Sequence, residues 1–314
     1  MERYIFGVDI GGTTIKLGMF QLDGKLLEKW EIPTRTMNVG SFVLPDAVSS
    51  IRAVMKRRKI ADSQIEGIGV GVPGPVDETG TVHRCVNLGW DEFNIEDSMR
   101  QLFPETSNVK AGNDATLATL GELWCGGGRG YGSAAMFTLG TGVGGGVAIG
   151  RITFRGFHGG AGEWGHMVMN PKEKEVCNCG RRGCLEQYAS ATGIVRVAKR
   201  KLKESSQMSK LRNQEKITAR IICDLARKGD GLSGTVLDEC SDYLGRAMGY
   251  IACTVDPEVF LIGGGVSKAG DILLDRIRRS YEKYAFHVSI DTPIKVAELG
   301  NDAGIYGCMK MVYH

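Results

Sequence analysis

The apolar run Tyr4-Ile5-Phe6-Gly7-Val8-Asp9-Ile10 is short and predicts a buried strand. Leu17 to Phe20 predicts a second strand, Asp23-Gly24 a turn, and Leu26 to Ile32 a third strand. The period then changes. Ala47, Val48, Ile51, Val54 and Met55 recur at helical spacing, predicting a helix from about Val43 to Arg58. Its basic end, Lys56 to Lys59, suits a helix C-terminus. Ile65 to Val72 predicts a strand that stops at the turn Pro73-Gly74-Pro75-Val76-Asp77. Val109 starts a short strand running into a helix from Ala115 to about Trp124. Strands follow over Ala134–Leu139 and Val147–Arg151. Further on, the pattern predicts helices over Thr192–Glu204, Ile217–Lys228, Thr235–Val255 and Ile272–Tyr284, with a loop over Ser205–Gln214. Between the last two helices lies the strand Val259–Ile262. Ile294–Leu299 is the last strand, and Asn301-Asp302-Ala303-Gly304 caps a final helix to Val312. The class is α/β, and 314 residues suggest two domains.

Glycine falls at the breaks in this pattern. The chain has 45 glycines, about twice the usual share, without a collagen period. Gly11-Gly12-Thr13-Thr14 joins the first two strands, and Asp9 ends the first of them. Such a tip turns N–H groups and hydroxyls toward phosphate oxygens. Asp9 is placed to hold Mg2+ through water. No helix follows the tip, so it is neither a Walker A loop nor a Rossmann fingerprint, and a plain hairpin is the other reading. Gly140-Thr141-Gly142-Val143-Gly144-Gly145-Gly146 repeats the same strand, tip, strand arrangement, suggesting an internal duplication with nucleotide between the halves. Gly263-Gly264-Gly265 is a third loop, open enough for adenine or ribose.

The densest chemistry lies between these loops. His166, Cys177, Cys179 and Cys184 form one imidazole and a C-x-C-x4-C run, a donor set suited to a structural, tetrahedral Zn2+. Glu163 stands three residues before His166 and Glu186 two after Cys184. Metal binding would hold both carboxylates as rigid acceptors, as a polyhydroxylated ligand such as a sugar requires. Two further pieces carry paired readings. Asn113 and Asp114 open a helix, so Asp114 is either an N-cap or a base aimed into a cleft. Asn87-Leu88-Gly89-Trp90 is either a ligand contact or a surface loop with a packed Trp.

Composition narrows the class. A net charge of +3 gives no footprint for nucleic acid or an anionic membrane. Three of the nine cysteines are in the metal run; the other six stand singly in apolar or helical contexts. This predicts buried free thiols and a reducing compartment. No signal peptide or membrane span is visible, and a cytoplasmic protein is expected.

Seven pieces in order resemble the ROK family of sugar kinases, within the actin-like ATPase superfamily. They are Asp9 to Thr13, Gly71 to Pro75, Gly112 to Ala115, Leu139 to Gly146, Gly162 to His166, the cysteine run through Glu186, and Gly263 to Val266. Asn87-Leu88-Gly89-Trp90 resembles the bacterial glucokinase branch. The resemblance implies a two-domain actin-like (ribonuclease H-like) fold with a cleft between domains. The expected division is 1–118, with 301–314 packing back on it, and 119–300 with the metal site. It implies transfer of the γ-phosphoryl of ATP, with Mg2+, to the 6-hydroxyl of a hexose, glucose first. Asp114 would be the base. Asn113, Glu163, His166 and Glu186 would hold sugar hydroxyls, with Gly74 and Asn87 on the sugar side. Asp9, Gly11, Gly12, Thr13, Thr14, Gly140, Thr141 and Gly142 would face the phosphates and Gly264 and Gly265 the adenosine. Lys16 joins the nucleotide side, although strand parity leaves its direction open. A homodimer or homotetramer is implied. Repressors of the family carry a DNA-binding segment before the first loop; here the first strand begins at about Tyr4, which favours the enzyme. A catalytically silent sugar sensor is the rival reading.

Overall fold

The structure, a computed structural model, describes residues 2–313, with Val86 described by its backbone alone. The chain divides into two compact units. The first comprises Met1–Gly132, Gly146–Gly162 and Leu299–His314; the second comprises Ser133–Gly145 and Glu163–Glu298.

In the first unit, β1 (Tyr4–Ile10), β2 (Thr14–Gln21) and β3 (Leu26–Pro33) form an antiparallel meander. A kinked turn of helix, α1 (Met37–Gly40), leads to α2 (Val43–Arg58), as its apolar period predicts. β4 (Ile65–Val72) then pairs parallel with β1. A hairpin, β5 (Thr81–Cys85) and β6 (Trp90–Asn94), precedes α3 (Ile95–Leu102). β7 (Val109–Asn113) pairs parallel with β4 and runs straight into α4 (Asp114–Cys125). The sheet order is β3-β2-β1-β4-β7. The hairpin and α3 are absent from the sequence expectation because His83, Arg84, Asp91 and Glu92 interrupt the apolar pattern with exposed charge.

A second sheet begins with β8 (Ala134–Leu139), β9 (Val143–Ile149) and β10 (Ile152–Thr153), in the order β10-β9-β8, and two later strands extend it beyond β8. After the cysteine run come α5 (Glu186–Ala189), α6 (Ala191–Glu204), α7 (Ala219–Arg227) and α8 (Gly231–Val255). β11 (Val259–Gly263) pairs parallel with β8; α9 (Asp271–Tyr284) and β12 (Ile294–Val296) follow. In both sheets the spatial order is third, second, first, fourth, fifth strand, and the first two strands are joined by a glycine turn. The suggested duplication is thus present in the topology.

The last strand ends three residues earlier than its apolar pattern suggests. The Ser205–Gln214 loop contains a 3-10 turn over Lys210–Asn213. Of the single cysteines, Cys253 is exposed and Cys125 half-buried, against the expectation that all are buried. Among the described residues no helix is long and apolar enough to cross a membrane.

The chain ends in α10 (Ala303–Val312), which returns to the first unit. Asp302 sits at its N-cap position but makes no side-chain cap bond, contrary to the cap expected there; its carboxylate pairs with Lys29 at 2.6 Å. α10 lies against β1, β4 and α4 so closely that side chains must be absent. A Cβ on Gly69 of β4 would run into the Cys308 carbonyl, and one on Gly307 into that of Leu117. Glu122, fully buried near the end of α4, ties this arrangement together. It accepts from Gly127 N at 2.9 Å and from Leu299 N at 2.7 Å.

The turn into β5 is organised by one carboxylate. Asp77 accepts from Thr79 N (2.9 Å), Thr81 N (3.0 Å), the Thr79 hydroxyl (2.7 Å) and the His83 ring (2.8 Å). Burial alone would raise its pKa, but these donors outweigh it and bring it to about 2. An unfolded Asp titrates near 3.9, so this contribution is complete above about pH 5 and fades as pH falls toward 2. Asp77→Asn should therefore cost about 1–2 kcal/mol at pH 7. Urea unfolding at pH 7 and pH 3 tests this: the penalty should shrink at the lower pH.

Candidate functional site

The carboxyl ends of parallel strands are where open α/β sheets receive ligands. In the first unit those ends bring together much of the predicted set. Asp9 of β1 pairs across the sheet with Gly71 of β4, and Val72 pairs with Asn113 of β7. Asn113 Nδ2 donates to the Gly74 carbonyl at 3.3 Å, fixing the Pro73-Gly74 turn to the head of α4. The two readings of Asp114 separate here. Asn113 is the N-cap, its Oδ1 accepting from Thr116 N at 3.0 Å. Asp114 is the first helical residue, half-buried, with Oδ1 accepting from Ala115 N at 2.7 Å. Capping does not explain Asp114.

The first glycine tip is a tight turn, with Gly11 N donating to Thr14 O at 3.0 Å. Thr34 pins it from β3's exit: its hydroxyl donates to Gly11 O at 2.7 Å and its N–H to Thr13 O at 3.0 Å. Gly12 and Thr13 are exposed, Gly11 and Thr14 partly so. A Cβ on Gly12 would meet the Asn87 side chain at 3.8 Å, so the tip and the Asn87 loop are neighbours. In that loop the alternatives divide by residue. Trp90 is buried in the core with Nε1 donating to Gly40 O at 3.3 Å, while Asn87 is exposed.

Lys16 lies directly opposite Asp9 in the antiparallel register, so both side chains share one face. Its Nζ donates to Asn301 O at 3.2 Å. Burial raises the Asp9 carboxyl to about 6, with Lys16 acting the other way. The wall that buries it is α10: a Cβ on Gly304 would lie 2.5 Å from Asp9 Oδ2. Sequence reading missed Thr34 and Gly304. The available signal for Gly304 was a glycine in a helix's first turn, where alanine is the better helix former.

The second unit holds a matching group. Gly140 N donates to Gly142 O at 3.0 Å, closing the second tip between β8 and β9. The head of α6 secures it, with Ala191 N to Gly140 O (2.8 Å) and the Thr192 hydroxyl to Thr141 O (2.7 Å). The third loop lies beside it. Gly264 has φ of +82°, and a Cβ there would be 2.5 Å from the Leu139 carbonyl, so both backbone shape and space require glycine. Gly265 faces open space and begins a 3-10 turn over Gly265–Ala269 that separates the loop from α9.

Glu186 links the second tip to the cysteine run. A Cβ on Gly142 would lie 2.7 Å from Glu186 Oε2, while Oε1 accepts from the Cys177 thiol at 2.9 Å and lies 3.9 Å from His166 Nδ1. The ligand atoms of His166, Cys177, Cys179 and Cys184 all fall within 4.8 Å of one another. Sγ of Cys179 and Cys184 are 3.6 Å apart, and Cys177 Sγ and His166 Nδ1 3.9 Å. A tetrahedral zinc with Zn–S near 2.3 Å has S···S edges of about 3.8 Å, so the donor set fits. Nδ1 is the nitrogen turned to the thiols.

The run is shaped by short-range hydrogen bonds. Gln187 Oε1 accepts from Gly183 N (2.8 Å) and Cys184 N (3.1 Å), and Cys177 N donates to Arg181 O (2.7 Å). Glu173, held by Arg196 at 2.8 Å and by the Tyr188 hydroxyl at 2.5 Å, anchors the approach. Burial would raise the Glu173 carboxyl, but these partners bring it to about 2. Glu163 is exposed at the start of the 3-10 turn Trp164–His166, whose Trp164 Nε1 donates to Met136 O at 3.2 Å.

Two copies of one sheet order, each with a glycine turn after its first strand, define the actin-like ATPase fold. The chain belongs to the ROK family, whose model matches residues 5–314. It is 38% identical over 312 residues to a glucokinase of Halalkalibacterium halodurans, covering 98% of this chain and 94% of the relative. A glucokinase of Thermotoga maritima is 36% identical over 314 residues, covering 98% and 96%. Among solved structures, a ROK family glucokinase from Streptomyces griseus in complex with glucose and AMPPNP is 31% identical with a TM-score of 0.74, covering 98% of each chain.

The Asp9–Gly304 contact yields a direct expectation. Gly→Ala in a helix normally stabilises by about 0.5–1 kcal/mol. Gly304→Ala should instead destabilise by roughly 1–3 kcal/mol through overpacking, and Asp9→Ala should restore most of the loss. Urea unfolding of the single and double variants measures this coupling; additive effects would exclude the contact.

Proposed function

We propose that this protein is an ATP-dependent hexose kinase that phosphorylates glucose at its 6-hydroxyl. The observation that carries this is similarity to glucokinases along nearly the whole chain, with Asp9, the first glycine tip and Asp114 all present. Asp114 is the general base for the attacking hydroxyl, and its place at the head of α4 rather than in the cap supports that role. Asn113, Glu163, His166 and Glu186 hold sugar hydroxyls, joined by Gly74 and Asn87. Gly11, Gly12, Thr13, Thr14 and Lys16 serve the phosphates with Gly140, Thr141 and Gly142, and Gly264 and Gly265 admit the adenosine. Asp9 holds Mg2+ through water; when bound, the ion offsets phosphate charge, which matters because the motifs place no arginine there. Phosphoryl transfer depends mostly on positioning and electrostatics, which suits a site built of turns and helix heads.

His166, Cys177, Cys179 and Cys184 are proposed to hold a structural Zn2+, His166 through Nδ1 so that Nε2 serves the sugar. Free thiols and no disulfide among the described residues support a cytoplasmic location. A homodimer or homotetramer is carried over from the family resemblance.

The deciding experiment is a coupled assay of ADP release with MgATP against glucose, mannose, fructose, allose, N-acetylglucosamine and N-acetylmannosamine. Highest kcat/KM on glucose is expected. Preference for another sugar would move the specificity, and no turnover in protein that still binds glucose would favour a sensor. In the same assay, Asp114→Asn should lower kcat by about 10^2–10^4 while glucose affinity by calorimetry changes little. Near-normal turnover would remove Asp114 as the base. Cys179→Ala should lose bound zinc, read by elemental analysis, and weaken glucose binding at least tenfold. Retention of both would refute a metal that positions Glu186.

A further inference from the structure

A cavity of about 650 Å3 in the first unit lies outside every motif considered above. Five cations line it, Lys110, Arg129, Arg151, Arg155 and Lys310, and no carboxylate does. The chain as a whole is nearly balanced, with 39 basic and 36 acidic residues. Among the described residues none of the five has a carboxylate partner within 4.0 Å, although most arginines of the chain do. Arg155 spends its guanidinium on the Asp77 carbonyl (3.2 Å) and on Met311 Sδ (3.0 Å), and Arg151 Nε donates to Tyr131 O at 3.3 Å. Lys310 donates to Tyr313 O at 3.3 Å. Glu78 and Glu96 line a neighbouring cavity that shares Lys110 and Arg155, and these two carboxylates and Asp77 all act on the Arg155 charge. Glu96 is already paired with Arg100 at 2.7 Å.

Gathering like charges around one space raises the energy of the empty protein unless an anion enters. The rest of the lining is apolar and aromatic: Leu120, Leu123 and Trp124 from α4, and Met311 and Tyr313 from the end of the chain. Lys310 Nζ stands 5.9 Å from the Trp124 ring centre and 5.3 Å from that of Tyr313, which sets charge beside flat surfaces. A bare inorganic ion would use the cations and leave the rings idle. We propose that this cavity is a binding site for a small organic phosphate of at least two negative charges, whose apolar or planar body rests on Trp124, Leu120 and Leu123. The volume lies within the usual range for small-molecule sites.

The location gives the site a means of influence. Trp124 is near the end of α4, whose first residue is Asp114, and α4 is about 18 Å long. Lys310 and Met311 lie in the last turns of α10, whose first turn carries Gly304 against Asp9. One ligand would touch the far ends of the two helices that place Asp114 and wall in Asp9. An effect on turnover rests on the kinase reading; binding does not.

Trp124 supplies the assay. The intact protein would be titrated with inorganic pyrophosphate, fructose 1,6-bisphosphate and adenosine 5′-monophosphate, following tryptophan fluorescence and calorimetry. The expected result is saturable binding in which at least one organic probe exceeds pyrophosphate. Preference between those two tells a sugar body from a planar one. Arg129→Glu, and separately Lys110→Gln with Lys310→Gln, should weaken this binding at least tenfold. Arg220→Glu, an exposed charge change in the second unit, should leave it within twofold. Trp124→Phe should abolish the fluorescence change while calorimetry still reports binding. No binding of either organic probe would overturn the proposal. So would binding that ignores Arg129→Glu and the lysine pair in variants whose melting temperature is unchanged. Loss of kinase activity in all proteins, with the binding pattern intact, would count against the kinase reading alone.

Discussion

The first unit depends on how closely one helix approaches a sheet. α10 lies with its backbone almost on β1, β4 and α4, and Gly69 and Gly307 leave no side chain to hold the surfaces apart. Close approach of this kind cannot be adjusted by rotating a side chain, because carbonyls form the opposing surface. A methyl at either glycine would have to move the whole helix, an overpacking cost of about 1–3 kcal/mol or more. The same approach puts Gly304 against Asp9 and α10 beside α4. The burial of Asp9 and the placement of the helix that begins with Asp114 thus both depend on this backbone packing.

The two units solve the same problem by different means. In the first, the glycine tip is pinned by Thr34 at the exit of β3. In the second, the corresponding tip is pinned by the head of α6 through Ala191 and Thr192. The sheet order is shared while the clamp is not, as expected if duplicated topology persisted and local contacts diverged. The cysteine run belongs to the second unit alone. It brings Glu186 beside Gly142, an alignment that the sheet by itself does not provide.

Much of this was legible in the sequence because its signals are local. Long apolar periods gave α2, α8 and α9 within a few residues, and the glycine breaks marked all three loops. The C-x-C-x4-C run with His166 announced a donor cluster that the structure closes to within 4.8 Å. What escaped depends on partners distant in sequence. No local pattern says that Gly304 faces Asp9, that Glu122 takes the N–H of Leu299, or that Lys110 and Lys310 share a cavity. Local rules also leave the capping side chains unsettled. Asp302 looks like one and instead pairs with Lys29, whereas Asn113, one residue before the more conspicuous Asp114, performs that task. The direction of Lys16 needed the β1–β2 register, which places it opposite Asp9.

The closing role of α10 also sets an order of events during biosynthesis. The core of the first unit is assembled from residues at its beginning and from Leu299 onward, with the whole second unit made in between. As the ribosome delivers the chain, β1, β4 and α4 emerge early, with the glycine-floored channel for α10 still unfilled and Glu122 lacking the Leu299 N–H. The second unit, by contrast, has all its strands and helices before that helix is made. Until that helix arrives, Ile5 and Phe20 lack the Ile305, Met309 and Val312 side chains that cover them, so truncations that remove only the final helix should harm solubility far more than their length suggests.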